Sequence, residues 1–306
     1  MYYVGVDIGG TKIAIAIFDY EFHPIIESVI PTDCRNGCRA MVEQVYHAYQ
    51  EMLSEAAIND RDVVSIGVCS PGPLDLKKGT IVFIPTMGFR NEPLVAYFEE
   101  FFQKPIVLQN DTNAAAMGEA IFGGGVGKGS IAYITVSTGI GCGIVLEGKI
   151  LDGAHFAAGE LGHMKVKRGG RRCACGGRGC LEAYASGTAI SSITGELTGK
   201  ACQAKDVFDA VRRGEEPYRS IVGRAGNYLA FAIAAVYQIL DPEVVILGGS
   251  VTRDWDVLEP ILNEALSRYS EEVDGRIPTI LRSEMDGRQG VLGAAWLGKM
   301  AVERSD

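Results

Sequence analysis

The chain lacks a long hydrophobic run: the longest, Leu229 to Leu240, falls short of the roughly 20 apolar residues that a bilayer core demands and reads as a buried helix. It also lacks the pattern of a signal peptide, because charged and polar residues appear from Asp7 onward. Eight cysteines without a secretion signal are expected to stay reduced in the cytoplasm. A positive excess is missing as well. The formal net charge of −9 argues against nucleic acid as the main partner, and with no spanning run no membrane partner is expected either. No low-complexity linker divides the 306 residues, which suffice for two domains with full cores, so any hinge between them must be short.

Glycine, by contrast, is abundant: 39 of 306 residues, about 13% against a usual share of about 7%. Much of it falls where chemistry is concentrated. Glu160-Leu161-Gly162-His163 is followed by Cys173-Ala174-Cys175-Gly176-Gly177-Arg178-Gly179-Cys180-Leu181-Glu182, with Gly169 and Gly170 between. One imidazole and three thiolates, His163, Cys173, Cys175 and Cys180, complete a tetrahedral Zn²⁺ shell with no position left for a catalytic water. The metal is therefore expected to be structural, holding two loop segments together, and the glycines let the chain bend around it. The competing reading is a plain cluster of thiols. Glu160 and Glu182 fall outside the shell and are free to be aimed at a polar ligand. Cys34, Cys38, Cys69, Cys142 and Cys202 have no ligand-like spacing and read as packing or incidental residues. The basic stretch Lys165, Lys167, Arg168, Arg171, Arg172 reads as a solvated loop beside the metal in preference to an anion site.

Local patterns give the organisation. Tyr2 to Asp7 and Ile13 to Phe18 read as strands joined by a Gly9-Gly10-Thr11 turn. Val42, Val45, Tyr49, Met52, Leu53 and Ala56 recur at helical spacing, which predicts an amphipathic helix near 38–57. Val63 to Cys69 and Ile106 to Gln109 read as buried strands, the first broken by Pro71-Gly72-Pro73, and a helix follows from about Thr112. The glycine hairpin then recurs: Tyr133 to Ser137, the turn Thr138-Gly139-Ile140-Gly141, and Gly143 to Leu146. A helix near 221–240, the strand Val244 to Leu247, Gly248-Gly249-Ser250 and a last helix from about Gly290 complete the order. Strand–helix alternation with a repeated hairpin predicts two similar α/β domains across a cleft.

The glycine turns are candidate phosphate sites. Asp7-Ile8-Gly9-Gly10-Thr11-Lys12 is not a Walker loop, since a strand both precedes and follows it. Gly9 and Gly10 let backbone N–H groups point at a phosphate, Thr11 adds a hydroxyl and Lys12 a charge, while Asp7 suits Mg²⁺, often through water. Thr138 and Gly139 offer a matching grip, and Gly248-Gly249 a place for a nucleotide, or simply an ordinary turn. Asn110-Asp111 ends a strand and begins a helix, where Asp111 serves either as a plain cap or as a functional carboxylate.

Together these segments, from Asp7 to Gly293, resemble the ROK family of bacterial sugar kinases and repressors. The run Gly159 to Gly187 carries its glycine-rich signature, and Asn110-Asp111-Thr112-Asn113-Ala114-Ala115 its Asn-Asp segment. The resemblance implies an α/β chain of the actin-like ATPase (ribonuclease H-like) fold. A small domain would comprise 1–112 plus a C-terminal helix 290–306, and a large one 113–289 with the zinc loop. It implies an ATP-dependent kinase that phosphorylates the 6-hydroxyl of a hexose, glucose first. N-acetylmannosamine and other N-acetylhexosamines are the alternative, with fructokinase or a repressor behind them. Asp111 would be the general base. Gly72, Asn91, Asn110, Asp111, Glu160, His163 and Glu182 would contact sugar. Asp7, Gly9, Gly10, Thr11, Lys12, Thr138, Gly139, Gly248 and Gly249 would contact ATP, with Mg²⁺ and a structural Zn²⁺ as cofactors. A cytoplasmic homodimer or homotetramer is expected. Repressors of the family carry a helix-turn-helix before the Asp-x-Gly-Gly-Thr segment, which here begins at Asp7. Many of its glucokinases carry Asn-x-Gly-Trp-x-Asn where this chain has Thr86-Met87-Gly88-Phe89-Arg90-Asn91, so Thr86 and Phe89 are expected to remove polar reach near the sugar.

Overall fold

The computed structural model describes residues 1–271 and 279–303. Strands β1 (Tyr2–Ile8), β2 (Lys12–Phe18) and β3 (Pro24–Pro31) lead into helix α1 (Cys38–Glu55) and strand β4 (Val63–Ser70). A small sheet of β5 (Leu74–Asp75), β6 (Thr80–Ile84) and β7 (Phe89–Glu92) follows, then α2 (Leu94–Phe102), β8 (Ile106–Asn110) and α3 (Asp111–Phe122). The second hairpin is β9 (Ser130–Val136) and β10 (Ile140–Leu146), after which comes the short β11 (Lys149–Ile150). Helices α4 (Glu182–Ala185), α5 (Gly187–Thr198), α6 (Ala204–Arg212) and α7 (Tyr218–Leu240) precede β12 (Val244–Gly248), α8 (Trp255–Glu271), β13 (Ile280–Arg282) and α9 (Gln289–Glu303). Of the helix expected over 290–306, residues 304–306 lie outside the described residues. No described helix is long and apolar enough to cross a membrane.

Two compact units result: Met1–Gly127 with Gly148–Ala158 and Met285–Asp306, and Lys128–Glu147 with Gly159–Glu284. The first holds the sheet β3-β2-β1-β4-β8, in which β1 pairs antiparallel with β2 and parallel with β4. The second repeats the plan: β9 pairs antiparallel with β10 and parallel with β12, and β12 parallel with β13. In both, the hairpin tip and the C-terminal ends of the parallel strands share one edge of the sheet, the edge where ligands of open α/β sheets bind.

In the first unit Val4, Val6 and Ile8 of β1 and Ile13, Ile15 and Ile17 of β2 pack with Met41, Val42, Val45, Tyr49 and Met52 of α1. Each such side chain contributes about 1.5–3 kcal/mol on burial, which is why the apolar strand runs and the helical spacing in α1 were both readable. On the other face α9 lies directly on the strands, since a Cβ on Gly5 or Gly67 would run into the carbonyls of Val291 and Ala294. The second unit has its own core, to which α7 contributes Leu229, Ala230, Ile233 and Val236. The run Leu229 to Leu240 is therefore buried on one face only: Phe231 is 40% exposed and Ile239 80%. The small sheet β5-β6-β7 was not readable from the sequence, and it corrects the expectation for Phe89. That ring is 2% exposed, inside the first core, so it lends no polar or empty space to a ligand. Thr86 and Asn91 remain exposed.

Candidate active site

In the first unit, β8 delivers Asn110 and Asp111 to the start of α3. Asn110 is the cap: its Oδ1 accepts the N–H of Thr112 at 3.0 Å and of Asn113 at 3.2 Å. Asp111 is thereby the first helical residue, where the helix dipole favours an anion. Its Oδ1 accepts the Thr112 N–H at 2.7 Å. Burial nevertheless raises the Asp111 carboxyl above its usual range, against the pull of the Thr112 hydrogen bonds. Asp7, at the end of β1, is pushed up to about 6, first by burial and then by the neighbouring Asp111 charge, with Lys12 acting in the opposite direction. Cys69 is buried against Asp7, and its thiol is held protonated by burial and by the two carboxylates. Two partly desolvated carboxylates beside each other are a site prepared for a cation or a proton.

A second layer fixes this corner. Gln109 accepts the Asn110 N–H on Oε1 at 2.7 Å and donates Nε2 to Asp152 Oδ1 at 3.0 Å, while Asn113 Nδ2 reaches the same oxygen at 3.3 Å. Asp152 thus sets the amide orientation of Gln109 and Asn113. Sequence reading missed it, because it lies far along the chain in a segment without pattern. Gly72 belongs to the same corner: a Cβ there would lie 3.8 Å from Asn110 Nδ2. Asn91 sits on β7 with φ 53°, and among the described residues no hydrogen bond joins it to Asn110 or Asp111.

The β1–β2 turn is tied by backbone. Gly9 N–H donates to Lys12 O at 2.9 Å, and Thr32 donates its hydroxyl to Gly9 O at 2.7 Å and its N–H to Thr11 O at 3.1 Å. Gly10, Thr11 and Lys12 stay exposed.

The second unit gathers the other set. The ligand atoms of His163, Cys173, Cys175 and Cys180 all lie within 4.8 Å of one another. Cys175 Sγ is 3.7 Å from Cys180 Sγ, and Cys173 Sγ is 3.8 Å from His163 Nδ1. With Zn–S near 2.3 Å, a tetrahedron has edges of about 3.8 Å, so these two pairs already stand at the spacing a zinc ion requires. The Gly177 N–H lowers the Cys175 thiol from its ordinary range, favouring the thiolate that a metal binds. Two of the five basic residues are engaged and are not simply solvated. Lys165 Nζ is 2.8 Å from Cys180 Sγ, and Arg171 grips Glu196 through both terminal nitrogens at 2.6 and 2.8 Å. His163 turns its other nitrogen to Glu160, 3.9 Å from Oε2.

Glu182 stands between this cluster and the β9–β10 turn. Its Oε1 is 3.7 Å from Cys173 Sγ, and its Oε2 accepts the Ile140 N–H at 3.1 Å. Thr138 is exposed at the tip, and Ser137 Oγ meets Ser250 Oγ at 2.9 Å, so the strand end at Gly248 and Gly249 lies beside this turn. A Cβ on Gly248 would strike the Tyr133 hydroxyl and one on Gly249 the Val136 carbonyl, so close packing alone already demands both glycines.

Over 97% of its length the chain is 35% identical to a glucokinase of Halalkalibacterium halodurans, covering 95% of that protein. A ROK hexokinase from Thermus thermophilus superposes with a TM-score of 0.87 at 34% identity, over 99% of this chain and 100% of that one. A ROK family glucokinase from Streptomyces griseus, solved with glucose and AMPPNP, gives 0.81 at 28% identity, over 98% and 100%. The fold is accordingly the actin-like ATPase fold of these sugar kinases. The ROK family model matches residues 3–301, and the chain belongs to the ROK family.

Proposed function

We propose that the protein is an ATP-dependent hexose kinase that transfers the γ-phosphate to the 6-hydroxyl of glucose. The observation that carries this reading is the Asn110–Asp111 corner: a carboxylate at a helix start, capped by Asn110, braced through Gln109 and set beside Asp7. Likeness to glucokinases over nearly the full chain supports it.

Asp111 accepts the proton of the sugar hydroxyl while that oxygen forms its bond to the γ-phosphorus and the bond to the β-phosphate oxygen breaks, releasing ADP. Its raised carboxyl makes it a better base than a solvated aspartate. Asn110, Gly72, Asn91, Glu160, His163 and Glu182 bind the sugar. Gly9, Gly10, Thr11, Lys12, Thr138, Gly139, Gly248 and Gly249 bind the nucleotide through N–H groups and side chains. Asp7 would hold Mg²⁺, which when bound would neutralise charge developing on the phosphates. His163, Cys173, Cys175 and Cys180 hold a structural Zn²⁺ that keeps their loops in shape. The expected division into a small domain, 1–112 with the terminal helix, and a large one, 113–289, belongs to the same reading, as do a cytoplasmic location and a homodimer or homotetramer.

A coupled ADP-release assay over glucose, mannose, N-acetylglucosamine and N-acetylmannosamine tests the proposal. Glucose is expected to have the highest kcat/KM. An acetamido sugar ahead by tenfold or more, about 1.4 kcal/mol of discrimination, would move the substrate to the N-acetylhexosamines. Turnover with none of them would overturn the kinase reading.

A further inference from the structure

Segment 180–187 of the second unit runs from a metal ligand to a glycine turn. At one end Cys180 is fully buried and paired with Lys165, and the Leu181 N–H donates to Met164 O at 2.9 Å, next to His163. At the other end the Gly187 N–H donates to Ser137 O at 2.7 Å. Between them Glu182 accepts the Ile140 N–H on Oε2 at 3.1 Å, with Oε1 3.7 Å from Cys173 Sγ. The turn Ser137-Thr138-Gly139-Ile140 is thus held on both sides by the chain that leaves the metal cluster. Gly139 carries the imprint of this contact, because a Cβ there would come within 2.5 Å of Glu182 Oε2. The glycine that permits an open turn is also what admits the carboxylate.

We infer that Glu182 is a positioning residue that transmits the shape of the His163/Cys173/Cys175/Cys180 loop to the Thr138–Gly139 turn, so that metal occupancy sets nucleotide affinity as well as sugar affinity. The inference rests on the reading of this turn as a nucleotide site. Glu182 holds the Ile140 N–H inward, which leaves the Thr138 and Gly139 N–H groups at the tip for a phosphate. Without the ion the loop that carries Glu182 relaxes, the Ile140 hydrogen bond weakens, and the tip loses its preformed geometry. Glutamine at position 182 keeps a carbonyl acceptor for Ile140, whereas alanine keeps none.

The test uses the full chain, with zinc and after chelation, as wild type, Glu182→Ala and Glu182→Gln. Zinc content, amide hydrogen exchange at Ile140 and calorimetric affinity for AMPPNP are read in parallel. Glu182→Ala is expected to retain zinc, to exchange Ile140 at least tenfold faster and to bind AMPPNP about five- to tenfold more weakly. Glu182→Gln should return both within about twofold of wild type. Chelation should speed Ile140 exchange in wild type and add little in Glu182→Ala. Unchanged exchange at Ile140 in both the alanine variant and chelated wild type would overturn the inference. Faster exchange with unchanged AMPPNP affinity would overturn the assignment of this turn to the nucleotide, and with it the functional half of the inference, while leaving the assay on sugars to judge the kinase reading separately.

Discussion

The two glycine turns occupy equivalent places in equivalent hairpins, yet they are restrained differently. In the first, Gly9, Thr11 and Lys12 are tied by backbone hydrogen bonds and by Thr32, the residue just past strand β3. In the second, the ties come from Glu182 and Gly187, on a segment that begins at the His163/Cys173/Cys175/Cys180 cluster. The same contrast runs through the rest of each unit's site. Asp7, Asn110 and Asp111 stand on strand ends and a helix start, anchored by a packed core. Glu160, His163 and the cysteines lie in a stretch that contains, before α4, only a short 3₁₀ turn and isolated bridges. A site built on regular structure needs no cofactor to hold its shape. One built on loops needs an ion to offset the chain entropy of ordering them, about 1–2 kcal/mol per residue.

The sharpest way to break the contrast is at Asp111. Asp111→Asn keeps the shape and the Thr112 hydrogen bond but cannot take a proton, so kcat should fall by at least ~10²-fold in steady-state assays. Next in size is loss of the ion. Cys175→Ser should strip zinc, measured by metal analysis, and weaken glucose binding at least ~10-fold, with a smaller effect on the nucleotide, because the first turn needs no metal.

Asp7→Asn sharpens the electrostatic side. The folded protein holds the Asp7 proton up to about 6, against 3.8 for the ordinary carboxyl. The folded state therefore binds more protons in this window, and the stability of the substrate-free protein should fall as pH rises through it and stay lower above. The asparagine variant lacks this loss, and at pH 8 denaturant unfolding should find it more stable by up to about 3 kcal/mol while MgATP affinity drops. Asp152→Ala comes next. It leaves Gln109 free to turn, and kcat should fall several-fold with little change in glucose KM, while Asp152→Asn, which keeps an acceptor, restores much of it. The smallest effect is expected for Thr32→Val, which removes one hydroxyl from the first turn and should cost about 1 kcal/mol of stability without altering zinc content.

The sequence carried the repeated hairpins openly, because short apolar, β-branched runs joined by glycine tips need no long-range information to be seen. The His163, Cys173, Cys175 and Cys180 cluster was equally legible, since its donors are marked by residue type and close spacing. What stayed hidden depends on contacts between distant segments. Asp152 has no local signature, and only folding brings it to Gln109 and Asn113. Phe89 reads as a substitution near a ligand but is drawn into the core by the small β5-β6-β7 sheet, whose strands are too short and mixed to announce themselves. The one-sided exposure of α7 was masked because its outward residues, Phe231 and Ile239, are as apolar as its inward ones. Glu182 reads in the sequence as a carboxylate outside the cysteine shell, but its grip on Ile140 is not legible there.

The central claim is that Asp111 takes the proton and that the loops around the His163, Cys173, Cys175 and Cys180 cluster contribute much of the sugar affinity. Glucose affinity by calorimetry and the single-turnover rate at saturating glucose and ATP, measured together on Asp111→Asn and Cys175→Ser, test it most directly. The account predicts a crossed result: Asp111→Asn binds glucose within about twofold of wild type but transfers phosphate at least ~10²-fold more slowly, whereas Cys175→Ser loses at least ~10-fold in glucose affinity and much less in saturated rate. Loss of affinity and rate in the same proportion in both variants would contradict it.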